Sequence, residues 1–295
     1  MVTRALRPLA LTVLPMLMPA SATAQSIAHT VYVGVTTASG DPAPNLAAGD
    51  FQVSEGGVVR QVTRAVPANS PVRVILLLDN SLSARPALRD VRVGAQAFVD
   101  ALPAEQEITV MTIGAKPFVR VPTTTDRQKV KSSLNSISTD DGVTMFVNGL
   151  SDAYDRFVAK TADRWPIIVI VTSDGPEGSA GVSGKVLTQL AANLTVKDAV
   201  IHGIVMAVDG SGFQAGLMSA LTLNTGGHLD QIVATSGMPD KLKSLGALIT
   251  SESKGVANLY EVDYASDSRD ISPNLEIKVA GEGRTVASIS AHRPR

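Results

Sequence analysis

The sequence contains no cysteine, which excludes disulfides, thiolate metal sites and lipid attachment at a cysteine. A chain without cross-links must be held by its core alone. The four histidines, His29, His202, His228 and His292, are dispersed and suggest neither an imidazole metal site nor a catalytic triad. No run of lysine or arginine occurs, and 26 basic residues stand against 27 acidic ones. Nucleic acid and anionic membranes are therefore not expected partners. No internal segment reaches the roughly 20 apolar residues that a membrane helix needs. A glycine-rich phosphate loop is also missing: Asp209-Gly210-Ser211-Gly212 reads as a turn, with no lysine beside it to reach a phosphate.

What is present begins with an export signal. Arg4 and Arg7 precede an apolar stretch from Leu9 to Met18, followed by Ser21-Ala22-Thr23-Ala24-Gln25. A positive start, a short apolar middle and a small-x-small end are the parts of a secretory signal peptide. Pro8, Pro15 and Pro19 argue against a buried helix here. Cleavage is expected near Ala24–Gln25, giving a signal peptide over 1–24 and an exported protein, periplasmic or secreted.

From residue 72 onward, apolar runs alternate with amphipathic stretches, the pattern of a doubly wound, mostly parallel α/β sheet. Val72 to Leu78 and Pro166 to Thr172 are nearly all apolar, as strands covered on both faces must be. Between them, helices are expected over 85–102, 126–137 and 145–159, and strands over 107–113 and 117–121. Asp126 is a plausible cap for the second helix. Helices over 184–197, 213–223 and 239–253 alternate with strands over 199–207 and 227–233.

The two ends have a different period. Thr30 to Thr37 alternates, as do Leu259 to Tyr264, Leu275 to Val279 and Val286 to Ala291. Further strands are expected at 51–54 and 58–65. Few strands at either end would be stable alone. The economical arrangement is one small antiparallel β domain built from both termini, with the α/β domain inserted. The expected organisation is thus a β segment over 25–70, the α/β domain over 71–254 and a second β segment over 255–295.

The chemistry lies at strand ends. The strand closing at Leu78 runs into Asp79-Asn80-Ser81-Leu82-Ser83, and the one closing at Thr172 runs into Ser173-Asp174-Gly175. Between them, Asp140-Asp141-Gly142-Val143-Thr144 precedes a helix. In open α/β sheets the carboxyl ends of the strands face the binding crevice. Asp79, Ser81, Ser83, Thr144 and Asp174 can therefore converge. Oxygen is the only donor type on offer, which favours a hard ion such as Mg²⁺, with Mn²⁺ or Ca²⁺ as substitutes. Taken singly, each piece reads as a turn or a helix cap; it is their order and placement that favour a metal site.

The run of Asp79, Ser81 and Ser83, with Gly142 and Thr144 and then Asp174-Gly175, resembles the metal-ion-dependent adhesion site of von Willebrand factor type A domains. The resemblance spans roughly Val72 to Ser253. Thr225-Gly226-Gly227 and the flanking Asp50-Phe51-Gln52-Val53-Ser54-Glu55-Gly56-Gly57 are similar to segments of exported bacterial proteins of this kind. The resemblance implies a metal at the upper sheet edge, touched directly by the two serines and the threonine, with aspartates acting through water. An ion held mostly by neutral hydroxyls keeps excess positive charge, so a Glu or Asp of a protein partner is the expected last ligand. That is a binding function rather than an enzymatic one. Two rival readings are a structural envelope module with an unused metal site and a Mg²⁺-dependent phosphatase using Asp79 as nucleophile. The phosphatase chemistry wants a second aspartate two residues on, where this chain has Ser81.

Overall fold

The computed structural model describes residues 26–68, 71–161, 163–179, 181–207, 212–291 and 293. The signal-peptide reading of 1–24 lies outside the described residues, as do His292 and most of the Asp209-Gly210-Ser211-Gly212 turn.

Strands β1 (Ile27–Thr36), β2 (Phe51–Glu55), β3 (Val58–Arg60) and β4 (Val62–Pro67) come first. They lead into β5 (Val72–Leu78), α1 (Leu88–Ala101), β6 (Glu107–Thr112), β7 (Phe118–Thr124), α2 (Arg127–Asn135) and α3 (Phe146–Ala153). β8 (Trp165–Ser173), α4 (Gly184–Val196), β9 (Val200–Met206), α5 (Phe213–Thr225), β10 (Leu229–Ile232) and α6 (Met238–Val256) complete the α/β part. β11 (Leu259–Ser266), β12 (Leu275–Val279) and β13 (Thr285–Ser290) end the chain.

The central sheet has the order β10-β9-β8-β5-β6-β7, parallel except for the antiparallel β7 at one edge. Strand β5 shows why helices cover both faces. Its Val74, Leu76 and Leu78 pack with α1, α2 and α6, while Ile75 and Leu77 pack with α3, α4 and α5. Neighbouring side chains on a strand point to opposite faces, so an unbroken apolar run needs two coverings. Asp126 caps α2 as expected, its carboxylate accepting the Lys129 N–H at 3.0 Å. From β5 the chain winds outward through β6 and β7, then returns to β8 on the other side of β5. The winding direction thus reverses between β5 and β8, the position at which open α/β sheets form their crevice.

The termini form two further sheets, β13-β1-β11-β4 and β12-β2-β3. β1 runs antiparallel to β11, with Val31 opposite Val262 and Val33 opposite Tyr260. Val31, Val33 and Val35 share one core with Phe51, Val53, Tyr260, Val262, Tyr264 and Ile277, so neither end could close this core without the other. One expectation is corrected. The strand expected over 58–65 is two strands in different sheets: Val58–Arg60 pairs with β2, and Val62–Pro67 pairs with β11. The chain crosses between the sheets at Gln61, whose carbonyl accepts the Ala265 N–H at 2.9 Å.

A seam joins this β unit to the lower end of the central sheet. The Arg293 guanidinium lies 5.2 Å from the ring centres of both Tyr32 and Trp165. Tyr32 Oη donates to Asp198 Oδ2 at 3.2 Å, and burial together with the Asp198 charge pushes the phenol up to about 12. The seam is at the opposite end of β8 from Asp174.

Candidate functional site

Asp79 directly follows β5 and is fully buried. Its backbone N–H still pairs with Val171 O at 2.8 Å, so the sheet ladder fixes the position of the side chain. Oδ1 accepts the Ser81 N–H at 2.8 Å, a local turn in which the aspartate bonds the backbone two residues on. Oδ2 accepts Thr144 Oγ1 at 2.9 Å, Ser173 N–H at 2.9 Å and Ser173 Oγ at 2.6 Å. Thr144 Oγ1 also lies 3.1 Å from Ser81 Oγ. Asp79, Ser81 and Thr144 therefore meet at one buried point, although 63 residues separate Ser81 from Thr144.

Ser83 and Asp174 sit at the edge of this cluster, both half-buried. A Cβ placed on Gly175 would fall 2.4 Å from Ser83 Oγ and 3.4 Å from Ser173 Oγ, so a side chain here would push Ser83 out of place. Gly142 has the same role against Ala115, whose Cβ would be 2.3 Å away. Asp174 turns towards α5, its Oδ1 accepting the Ala215 N–H at 3.2 Å, which places a carboxylate at the positive end of that helix. Asp140 is half-buried and Asp141 exposed. His29 stands on β1, His202 on β9 and His228 just before β10, on separate elements.

Three supporting residues were not assigned from sequence. Asn80 holds the loops in place: its amide donates to Ser138 O at 2.9 Å, its Oδ1 accepts Gly114 N–H at 3.0 Å, and its carbonyl accepts Asp140 N–H at 2.7 Å. Ser173 gives Asp79 two of its hydrogen bonds. Glu177 fixes the start of α3, accepting Phe146 N–H at 3.2 Å, while Gly178 N–H bonds Thr144 O at 2.8 Å. Thr144 itself is not the helix cap. That place is taken by Met145, without a side-chain bond, and Glu177 reaches in from the loop after β8. Asn80 is visible in the motif as the residue between two candidate ligands; the role of Glu177 has no local signal, because it acts on a helix 31 positions away.

The donor set suits a hard cation. Among the described residues no group of three or more His, Cys, Asp or Glu is placed to hold a metal ion, so an ion here would have to rest largely on hydroxyl oxygens. Asp79 pairs with no Lys, Arg or His in the described residues, yet it is 0% exposed and bonded only to neutral donors. An octahedral ion with bonds of 2.0–2.1 Å sets adjacent oxygens about 2.9 Å apart. The Thr144–Ser81 spacing of 3.1 Å is close to that edge. The residues present fit such an ion.

A doubly wound sheet with a hydroxyl-rich cluster at its switch point defines the class. Residues 74–177 match the family model of the von Willebrand factor type A domain, so the central unit is similar to that domain. Domains of this family generally mediate protein interactions and often use a metal at an adhesion site. A von Willebrand factor type A structure from Catenulispora acidiphila aligns with 92% of this chain and 74% of its own, at 11% identity and a TM-score of 0.53. That likeness of fold takes in the flanking β strands as well as the α/β unit. Conserved hypothetical protein BatB from Bacteroides thetaiotaomicron aligns over 61% of this chain and 99% of its own, at 17% identity and a TM-score of 0.47. An aerotolerance-related membrane protein from Bacteroides fragilis aligns over 59% and 98%, at 15% identity and a TM-score of 0.46. No curated protein matches the chain. Among the described residues, no helix is long and apolar enough to cross a membrane.

Proposed function

We propose that this protein is an exported, metal-dependent binding module in which Asp79, Ser81, Ser83, Thr144 and Asp174 hold a divalent ion, Mg²⁺ by preference, and a Glu or Asp of a protein partner completes its coordination. The observation that carries the reading is the setting of Asp79, a buried carboxylate that among the described residues has neutral hydrogen-bond donors but no cation beside it. Burying a charge without a counter-charge is expensive, and a bound cation offsets that cost. Ser81, Ser83 and Thr144 bring no formal charge, so an ion there stays electrophilic towards an incoming anion. The sequence pattern of residues 1–24 supports export.

Binding is favoured over catalysis by the state of Asp79. A nucleophilic carboxylate must reach its substrate, and this one is fully enclosed with both oxygens engaged. The same hydrogen bonds favour one alternative, a structural module whose site needs no ion, because the network is already satisfied by protein donors. Thermal unfolding under increasing Mg²⁺ separates the two. A ligand bound only by the native state stabilises by about 2.7 kcal/mol at a concentration 100 times its Kd. The metal reading expects a melting temperature that rises with Mg²⁺ or Mn²⁺ and falls back with EDTA. A melting temperature indifferent to both ions selects the structural module.

A further inference from the structure

Each of the three sheets ends in two edge strands, and an unpaired strand edge is a template for a further strand. Five of the six edges carry charged residues or proline, which ordinarily discourage such pairing. β7 has Arg120 and Pro122, β10 has Asp230, β12 has Glu276 and Lys278, β3 has Arg60, and β4 has Arg64 and Pro67. β13 is different. Its Thr285-Val286-Ala287-Ser288-Ile289-Ser290 holds neither charge nor proline, and among the described residues it pairs on one side only, with β1.

The register with β1 decides what this edge presents. Val286 stands opposite Val35, Ser288 opposite Gly34 and Ile289 opposite Val33, so Ala287 is an extra residue that bulges from the ladder. Directly opposed residues of an antiparallel pair lie on one face of the sheet. Val33 and Val35 face the core of the β unit, and the bulge therefore turns both Val286 and Ile289 to that face. Without it, residues three apart would point to opposite faces. Val33 is 0% exposed, whereas Ile289 is 40% exposed. A core-facing isoleucine is left open where the sheet stops.

We propose that β13 is a self-association edge, pairing antiparallel about a two-fold axis with β13 of a second copy of this chain. The occupant follows from charge and register. A neutral strand meets its own copy with no like charges opposed. Two-fold pairing must also keep every opposed pair on one face. Over the whole strand, the register that does so sets Thr285 opposite Ser290, Val286 opposite Ile289 and Ala287 opposite Ser288 of the copy. Val286 and Ile289 then cover one another at the open end of both cores, and the two bulges meet at the axis. Arg284 falls opposite Ala291, so no charge meets a like charge at the strand ends either. Six residues a side is far below the roughly 20–30 of a stable interface, so the dimer is weak and concentration-dependent. This inference is independent of the metal reading, whose site lies on the other unit.

The test is sedimentation velocity of the whole protein from about 1 µM to about 1 mM, where the weighted sedimentation coefficient should rise from monomer towards dimer. Ala287→Lys sets two ammonium groups beside the axis and should weaken the dimer about tenfold, with an unchanged thermal melt showing that it folds. Because the chain has no cysteine, introduced thiols read the register directly. Under mild oxidant, Val286→Cys mixed with Ile289→Cys should give a disulfide-linked dimer, and neither variant alone should. A monomer at every concentration would overturn the proposal and leave the edge to a different partner. A dimer that Ala287→Lys leaves intact would overturn it too, as would thiol variants that cross-link no better mixed than alone.

Discussion

Two buried carboxylates, one in each unit of the molecule, have opposite surroundings. Glu55 in the β unit is 5% exposed and accepts Tyr264 Oη at 2.9 Å, Ser266 Oγ at 2.6 Å and Arg60 Nε at 3.0 Å. Asp79 in the α/β unit is 0% exposed and accepts hydrogen bonds from Ser81, Thr144, Thr172 and Ser173, all neutral groups. Both are satisfied as acceptors, and only Glu55 is balanced as a charge. The β unit thus carries a closed ionic cluster joining β2 to β11, with Arg60 bonded onward to Asp267. The α/β unit carries an open one. The difference separates a carboxylate balanced within the fold from one that, in the reading proposed above, takes its counter-charge from a bound cation.

Replacing each carboxylate should expose that difference, and the largest effect on the metal-free protein is expected at Glu55. Glu55→Ala leaves Tyr264 Oη and Ser266 Oγ buried without their acceptor, at about 1–3 kcal/mol for each orphaned group. Urea unfolding should show a loss of about 3 kcal/mol that added Mg²⁺ does not restore. A stability within about 0.5 kcal/mol of the parent would mean that the cluster is incidental.

Asp79→Asn should differ in its response to metal. The amide keeps the shape and removes the unbalanced charge, but its NH2 must face the backbone N–H of Ser81 or Ser173, so metal-free stability should fall by about 1–3 kcal/mol. The Mg²⁺-dependent stabilisation, about 2.7 kcal/mol at 100 times Kd, should disappear. Retention of the full Mg²⁺ response in this variant would break the comparison.

Acid separates the two sites further. Burial alone raises the Glu55 carboxyl, but hydrogen bonds from Ser266, Tyr264 and the Ser272 backbone, with the Arg60 charge, outweigh it and hold the group below its usual 4.5. A carboxylate whose folded value is depressed stabilises fully above its unfolded value, and that contribution is lost as pH falls through the folded one. Unfolding midpoints should therefore decline below about pH 4.5, and Glu55→Gln should flatten the decline. An unchanged slope in Glu55→Gln would assign the acid sensitivity elsewhere.

The smallest effect is expected from Gly175→Ala. Its new methyl would press on Ser83 Oγ, 2.4 Å away, and displace a proposed ligand rather than core. Unfolding in EDTA should change by about 1 kcal/mol or less, whereas the Mg²⁺ midpoint of the thermal shift should move to higher concentration. An unmoved midpoint would take Ser83 out of the ligand set.

The strands of the central sheet were legible because burial on both faces leaves a run such as Val72 to Leu78 with almost no polar interruption. Helix α1 was equally plain, since Leu88, Val91, Ala95, Phe98 and Val99 repeat at helical spacing and are buried. The division of 58–65 was not legible. Val58 to Ala65 reads as one extended run, and the change of sheet at Gln61 depends on which partner strand is available on each side. At the site, Asp79, Ser81 and Thr144 were found through strand-end placement and motif order. Ser173 and Glu177 were not, because one acts through its backbone as well as its hydroxyl and the other caps a helix far away in sequence.

The sequence by itself determined the doubly wound sheet and the set of oxygen-bearing residues at its carboxyl edge. Hydrophobic periodicity is a local property, and strand direction then decides which loops share an edge. Only the tertiary structure decided that the run over 58–65 divides between two sheets, that Asp174 turns to the start of α5, and that Asp79 meets neutral donors and, among the described residues, no arginine. Those outcomes depend on which groups distant in sequence are brought together, as with Thr144 and Asp79 at 2.9 Å, and a local pattern carries no record of such distances.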